Sequence, residues 1–318
     1  MAVNDSPVST TTSLEFRIAS ADGLQIACAR RNSRCPVRGV VQIAHGMGEY
    51  IGRYTGLIDA LASAGLTVYA NDHRGHGRSA PSATYLGNLG EGGFDLLVED
   101  MVRLSRVAKY QNPGVPFLLL GHSMGSFAAQ QYIIDHSKEL DGLILSGSGA
   151  LDALAFLASH MPPEINFLNI HFEPARTPLD WLTSDSAVVD AFISDPLCFP
   201  QLEPASLASF LAAAPRLADP FSLRKIRSDL PICLLSGSED PIGQRLEGVE
   251  ILIARYLKAG VNKISRRYYA WGRHEMLNEL NREQVRADIL NWISGVLERK
   301  RGSLVDGAAG AWSLHAGG

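Results

Sequence analysis

The sequence predicts an α/β fold, with a mostly parallel central sheet, helices on both of its faces and an inserted helical cap. Three observations carry that expectation. Short apolar runs of strand length alternate with stretches of helical spacing, as buried parallel strands and their crossovers do. One run, Phe117-Leu118-Leu119-Leu120, leads into Gly121-His122-Ser123-Met124-Gly125 and then into helically spaced Phe127, Ala128, Tyr132, Ile133 and Ile134. Residues 150–222 break the alternation with nine prolines and short helical patterns, a length of chain that a compact domain usually spends on a functional lid.

The elements follow in order. Residues 14–18 and 24–30 read as strands joined by a turn at Asp22-Gly23. Residues 39–44 form a strand that ends at His45-Gly46-Met47-Gly48. A helix over 54–64 is stopped by Gly65, and a strand over 66–70 opens into the Gly-rich loop 72–79. Leu97, Val98, Met101, Leu104 and Val107 place a helix over 94–109. After the Ser123 segment come strands at 142–146 and 231–236, a helix at 249–259, a strand at 264–269 and a last helix at 283–297. The expected organisation is a flexible N-terminus at 1–13, a core formed by 14–149 and 223–300, a cap at 150–222, and a flexible Gly/Ala-rich tail at 301–318.

Composition narrows the function. Hydrophobic residues make up 46% and charged residues 19%, enough apolar matter for a large core and too much for disorder. A net charge of −4 argues against a nucleic-acid partner. No apolar run is long enough to span a bilayer, and the Ser/Thr-rich start lacks the marks of a secretory signal, so a cytoplasmic location is expected. Cys28, Cys35, Cys198 and Cys233 are scattered without metal-ligand spacing and read as free thiols. His73 and His76 beside Asp72 lack a second cluster to complete a metal site, so neither metal nor cofactor is expected.

The chemistry centres on Ser123. A buried strand, Gly-x-Ser-x-Gly and a helix make the nucleophile elbow of an α/β-hydrolase, in which a tight turn lifts the serine hydroxyl clear of the sheet. A serine hydroxyl needs a base, and the base an orienting acid, in the chain order Ser, acid, His. Asp240 in Ser236-Gly237-Ser238-Glu239-Asp240-Pro241 follows an apolar strand, and His274 follows the strand ending near Tyr269. Glu239 is the competing acid. Ser123, Asp240 and His274 thus project from three strand ends on one edge of the sheet, where open α/β sheets carry their sites. Acyl transfer also needs donors for the developing oxyanion, and the backbone N–H groups of Met47 and Met124 suit that role. Gly46, Tyr50 and His122 are the candidate substrate-binding residues, with a packing role the alternative for His122.

His45-Gly46-Met47-Gly48-Glu49, Arg53-Tyr54, Asp72-His73-Arg74-Gly75-His76-Gly77-Arg78-Ser79, the Ser123 pentapeptide, Ser238-Glu239-Asp240-Pro241 and His274-Glu275 together resemble the monoacylglycerol lipase and lysophospholipase branch of the α/β-hydrolases, of serine aminopeptidase S33 type. The match spans roughly 14–297. The resemblance implies a capped, cofactor-free serine hydrolase of carboxylic esters, often monoacylglycerols, with Ser123, Asp240 and His274 as triad and Met47 and Met124 as oxyanion donors. Tyr50 stands where the family usually has His, and Ser126 where a third Gly often follows. The expected partner is a small ester or lipid. A peptidase or thioesterase on the same triad, and a non-catalytic binding homologue, remain alternatives; Glu49 or Glu173 would have to supply the anionic group an aminopeptidase needs. Leu151, Leu154, Ala155, Phe156 and Leu157 either pack the cap onto the body or give it weak membrane-surface contact.

Overall fold

The computed structural model describes residues 13–162 and 166–312. Its sheet has eight strands in the order β1-β2-β4-β3-β5-β6-β7-β8. β1 (Leu14–Ala19) and β2 (Gln25–Arg31) form the expected hairpin, and β2 also pairs antiparallel with β4 (Leu66–Asn71). From β4 onward every pairing is parallel, through β3 (Gly39–Ala44), β5 (Phe117–His122), β6 (Gly142–Ser146), β7 (Ile232–Gly237) and β8 (Ile264–Tyr269).

The strand period of two sorts the apolar runs onto opposite faces. Phe117, Leu119, Leu143, Leu145, Ile232 and Leu234 enter one core with α2 (Gly93–Gln111), α3 (Met124–His136) and α9 (Glu247–Lys258). Leu118, Leu120, Ile144, Cys233 and Leu235 enter the other with α1 (Thr55–Ser63) and α10 (Arg282–Trp312). Burial on both faces explains why these strands read as continuous apolar runs rather than alternating ones.

The 150–222 interval lies between β6 and β7 as α4 (Leu151–His160), α5 (Ser186–Ser194), α6 (Pro204–Leu211), α7 (Ala214–Ala218) and α8 (Pro220–Leu223). Local chemistry starts these short helices. The Asp185 side chain caps α5, Asp219 caps α8 through the Phe221 and Ser222 N–H groups, and Pro204 opens α6 with its fixed φ. The apolar segment of α4 divides: Leu151 and Leu154 are buried, whereas Phe156 is 66% and Leu157 40% exposed.

The chain end departs from expectation. The tail expected to be flexible from 301 continues α10 as far as Trp312, because extending an existing helix costs far less than nucleating one and no proline follows Leu297 to stop it. Residues 1–12, 163–165 and 313–318 lie outside the described residues, Pro163 of the expected cap among them. No described helix is long and apolar enough to cross a membrane.

Candidate active site

Ser123 sits at φ 51, ψ −124, between β5 and α3. A non-glycine residue holds that conformation only where its surroundings enforce it. Its N–H donates to Ser146 O (2.9 Å) on the neighbouring strand end, and its carbonyl accepts from Ser126 N (2.7 Å). A Cβ at Gly121 would lie 2.4 Å from Gly125 O, and one at Gly125 would lie 2.3 Å from Ala44 O, so both flanking positions exclude side chains. Ser126 in the third position adds a brace, its hydroxyl donating to Ser123 O (2.6 Å) and its oxygen lying within hydrogen-bond reach of the Ser148 hydroxyl (2.8 Å).

His274 and Asp240 meet from loops beyond β8 and β7. Asp240 Oδ1 accepts from the Ile242 N–H and from His274 Nδ1, each at 2.9 Å, and both side chains are buried. Glu239, the competing acid, instead pairs with Arg245 at 2.9 Å. Burial disfavours an imidazolium, yet the Asp240 carboxylate outweighs it and holds His274 above the ordinary histidine value. The His274 ring lies between Trp181 (centroids 5.0 Å) and His122 (4.9 Å). Gly147 closes against it: a Cβ there would stand 2.7 Å from His274 Cε1.

Ser123, His274, His122, Met47 and Met124 share a cavity of about 280 Å³ whose remaining wall is mostly Leu and Phe. The Met47 and Met124 N–H groups donate to no acceptor among the described residues. The Gly46 N–H is already taken by Glu49 Oε1 (2.6 Å). Burial, followed by the neighbouring His274, lowers His122 to about 4, so it is neutral at pH 7, with Nδ1 3.3 Å from Ser146 Oγ.

Tyr50 is not on the cavity wall. After the Gly48 turn (φ 71) its hydroxyl donates to Asp195 Oδ2 (2.9 Å) at the end of α5, so it fastens residue 195 to the Met47 loop instead of meeting substrate there. Asp72, His73 and His76 hold loops together. Asp72 accepts from Ile51 N (3.0 Å) and Arg78 N (2.8 Å), and the His73 N–H donates to His45 Nε2 (2.8 Å).

Sequence reasoning missed a buried cluster joining two of these loops. Arg53 donates to Glu49 Oε2 (2.8 Å) and forms a two-pronged pair with Glu275 (2.7 Å each), the residue after His274. Tyr54 Oη donates to Glu49 Oε1 (2.6 Å). Its only signal was the presence of Glu49, Arg53 and Glu275 in the recognised motifs.

The strand order and the strained serine turn facing a His–Asp pair define the chain as an α/β-hydrolase. A family model for serine aminopeptidase, S33, matches residues 35–281, and the chain belongs to that family. Among its relatives, the monoacylglycerol lipase of Mycolicibacterium smegmatis is 30% identical over 90% of this chain and 98% of its own length. The monoglyceride lipase of Mus musculus is 26% identical over 81% of this chain and 90% of its own. A thermostable carboxyl esterase from Bacillus coagulans, solved in complex with glycerol, superposes with a TM-score of 0.82 at 29% identity, covering 91% of this chain and all of that one.

Proposed function

We propose that this protein hydrolyses carboxylic esters, monoacylglycerols or close analogues, through an acyl-enzyme formed on Ser123, with 150–222 as the cap over the site. The observation that carries the reading is Ser123 on its strained turn sharing an apolar cavity with the His274–Asp240 pair. With Nδ1–H committed to Asp240, the Nε2 lone pair of His274 is the acceptor for the Ser123 proton. The alkoxide attacks the ester carbonyl, and the Met47 and Met124 N–H groups receive the oxyanion, each worth about 10²–10³ in rate. His274 then returns the proton to the departing alcohol, and water repeats the cycle on the acyl-enzyme.

An ester fits better than the N-terminal peptide that the family description suggests. An aminopeptidase must offer its substrate's ammonium an anionic group, and the two carboxylates that line this cavity among the described residues, Glu49 and Glu275, are occupied by Arg53, Tyr54, the Gly46 N–H and Asn278. Glu173 is exposed and not on the cavity wall. The relatives named as lipases and the esterase fold agree with that chemistry.

The test is turnover of p-nitrophenyl esters by the full chain and by Ser123→Ala. We expect the variant to keep its fold and lose at least about 10⁴ in kcat, as removal of a serine nucleophile does elsewhere. Turnover equal to that of the parent would reject the assignment.

A further inference from the structure

The catalytic cavity is small for the substrate class proposed. At about 280 Å³ it sits at the floor of the usual range for small-molecule sites, roughly 300–1,000 Å³. Beside it runs a groove of about 1200 Å³, and Phe167 lines both. The two compartments divide the same elements between them. Along α4, Leu154, Ala155 and Ala158 face the cavity, whereas Ala153, Phe156 and Leu157 face the groove. In the loop of the catalytic acid, Ile242 lines the cavity and Pro241 the groove. The two compartments are therefore separated by α4 itself, and among the described residues Phe167 alone lines both.

The groove suits an uncharged chain. Phe156, Leu157, Met161, Ile170, Leu246 and Ile251 supply its apolar surface. Of the three charged residues among those described in its lining, Asp152 pairs with Arg255 (2.7 and 2.8 Å), Arg245 pairs with Glu239 (2.9 Å), and Glu247 stands in the first turn of α9, where the helix N-terminus favours a carboxylate. Its far wall is a turn in which Gln244, Arg245 and Leu246 all have positive φ (50, 53 and 81°), held by hydrogen bonds from Gln244 N to Pro241 O and from Arg245 N to Asp240 O. Three consecutive left-handed non-glycine residues are costly, and such strain concentrates at ligand sites.

Resting on the esterase reading above, we propose that this groove is a second acyl-binding compartment. It takes the distal methylenes of long-chain esters, and Phe167 is the specificity-determining residue that divides it from the catalytic cavity. Short acyl chains end inside the cavity, and longer ones displace the Phe167 ring and continue along α4.

The experiment measures kcat/KM for p-nitrophenyl butyrate and palmitate with the full chain, with Phe167→Ala and with Leu157→Asp, which puts a charge on the exposed part of the groove. The proposal expects the palmitate-to-butyrate ratio to rise in Phe167→Ala and to fall by about tenfold or more in Leu157→Asp, a discrimination of the size buried methylenes supply. A ratio within about twofold of the parent in both variants overturns the groove; serine-dependent butyrate turnover would then leave the esterase reading intact. If the parent hydrolyses neither ester, the esterase reading fails and the groove is judged by palmitic acid binding to the same proteins. Weaker binding by Leu157→Asp supports it, and unchanged binding overturns it.

Discussion

Arg53 is the residue on which the geometry of the site depends most, although it has no part in the chemical steps. Its guanidinium is nearly buried, lies over the Phe192 ring (4.9 Å), and joins the Met47 loop through Glu49 to the His274 loop through Glu275. Burial opposes ionisation of Glu49, and the Arg53 charge overcomes it, holding that carboxyl below its ordinary value. Arg53→Met would strand two buried carboxylates, so stability should fall by about 3–5 kcal/mol. The groups that meet His274 are Asp240, Glu275, Glu49 and neutral His122. Without the cation, the carboxylates favour its protonated form more strongly. In the proposed mechanism turnover needs the neutral ring, so the acid limb of kcat/KM against pH should move to higher pH. A pH profile with an unmoved limb would show that Arg53 only packs. Ser123, Asp240 and His274 are legible in the sequence because each stands in a short motif after a strand, apolar in β5 and β7 and mixed in β8. Arg53 and Glu275 are separated by 222 positions, and nothing local says that their loops touch. Adjacency to Met47 likewise misplaces Tyr50, since the Gly48 turn carries its side chain away from the cavity.

Among the elements, the 150–222 interval, proposed above as the cap, is tied to the His274 loop by backbone. His274 N donates to Trp181 O (3.4 Å) and Glu275 N to Leu182 O (2.7 Å). Buried Glu279 accepts from the Thr183 hydroxyl and from Ser184 N (2.9 and 3.0 Å). Motion of residues 181–184 must therefore disturb the histidine. Glu279→Ala leaves those donors without an acceptor, and we expect a loss of about 1–3 kcal/mol together with a drop in kcat. Glu279→Gln keeps one acceptor oxygen and should recover part of both. Hydrogen exchange gives the direct readout: the Glu275 amide should lose protection in Glu279→Ala, and undiminished protection would separate the cap interval from the His274 loop. The limits of β3 to β7 could be read to within a residue or two because two-sided burial writes itself as mainly apolar runs, whereas β1 and β8 carry exposed polar positions. The helices of 150–222 are a different case. They are four to ten residues long and interrupted by prolines, too short for periodicity to fix their limits.

For the molecule as a whole, the buried histidines set a limit on acid stability. His45, His73, His76 and His122 are buried, and burial lowers all four, His76 to about 3 and His122 to about 4. Below the unfolded histidine value near 6.5 the unfolded chain binds protons that these four refuse, so unfolding becomes easier as pH falls. Each contributes about 1.4 kcal/mol per pH unit until its folded pKa is reached. His274 acts in the opposite sense. Its folded pKa is raised, so its stabilising contribution is complete below 6.5 and lost as pH rises through the folded value. One raised group does not offset four lowered ones. The urea midpoint of the protein should therefore drop steeply between pH 7 and pH 5, with an unchanged slope against denaturant. His76→Phe removes one of the four from a position where its ring already lies against Phe199 (4.9 Å), and it should flatten that fall by about one proton's worth. Equal midpoints at pH 7 and pH 5 would mean that these imidazoles charge freely inside the folded protein, against the cost of burying their charge, and would overturn the prediction.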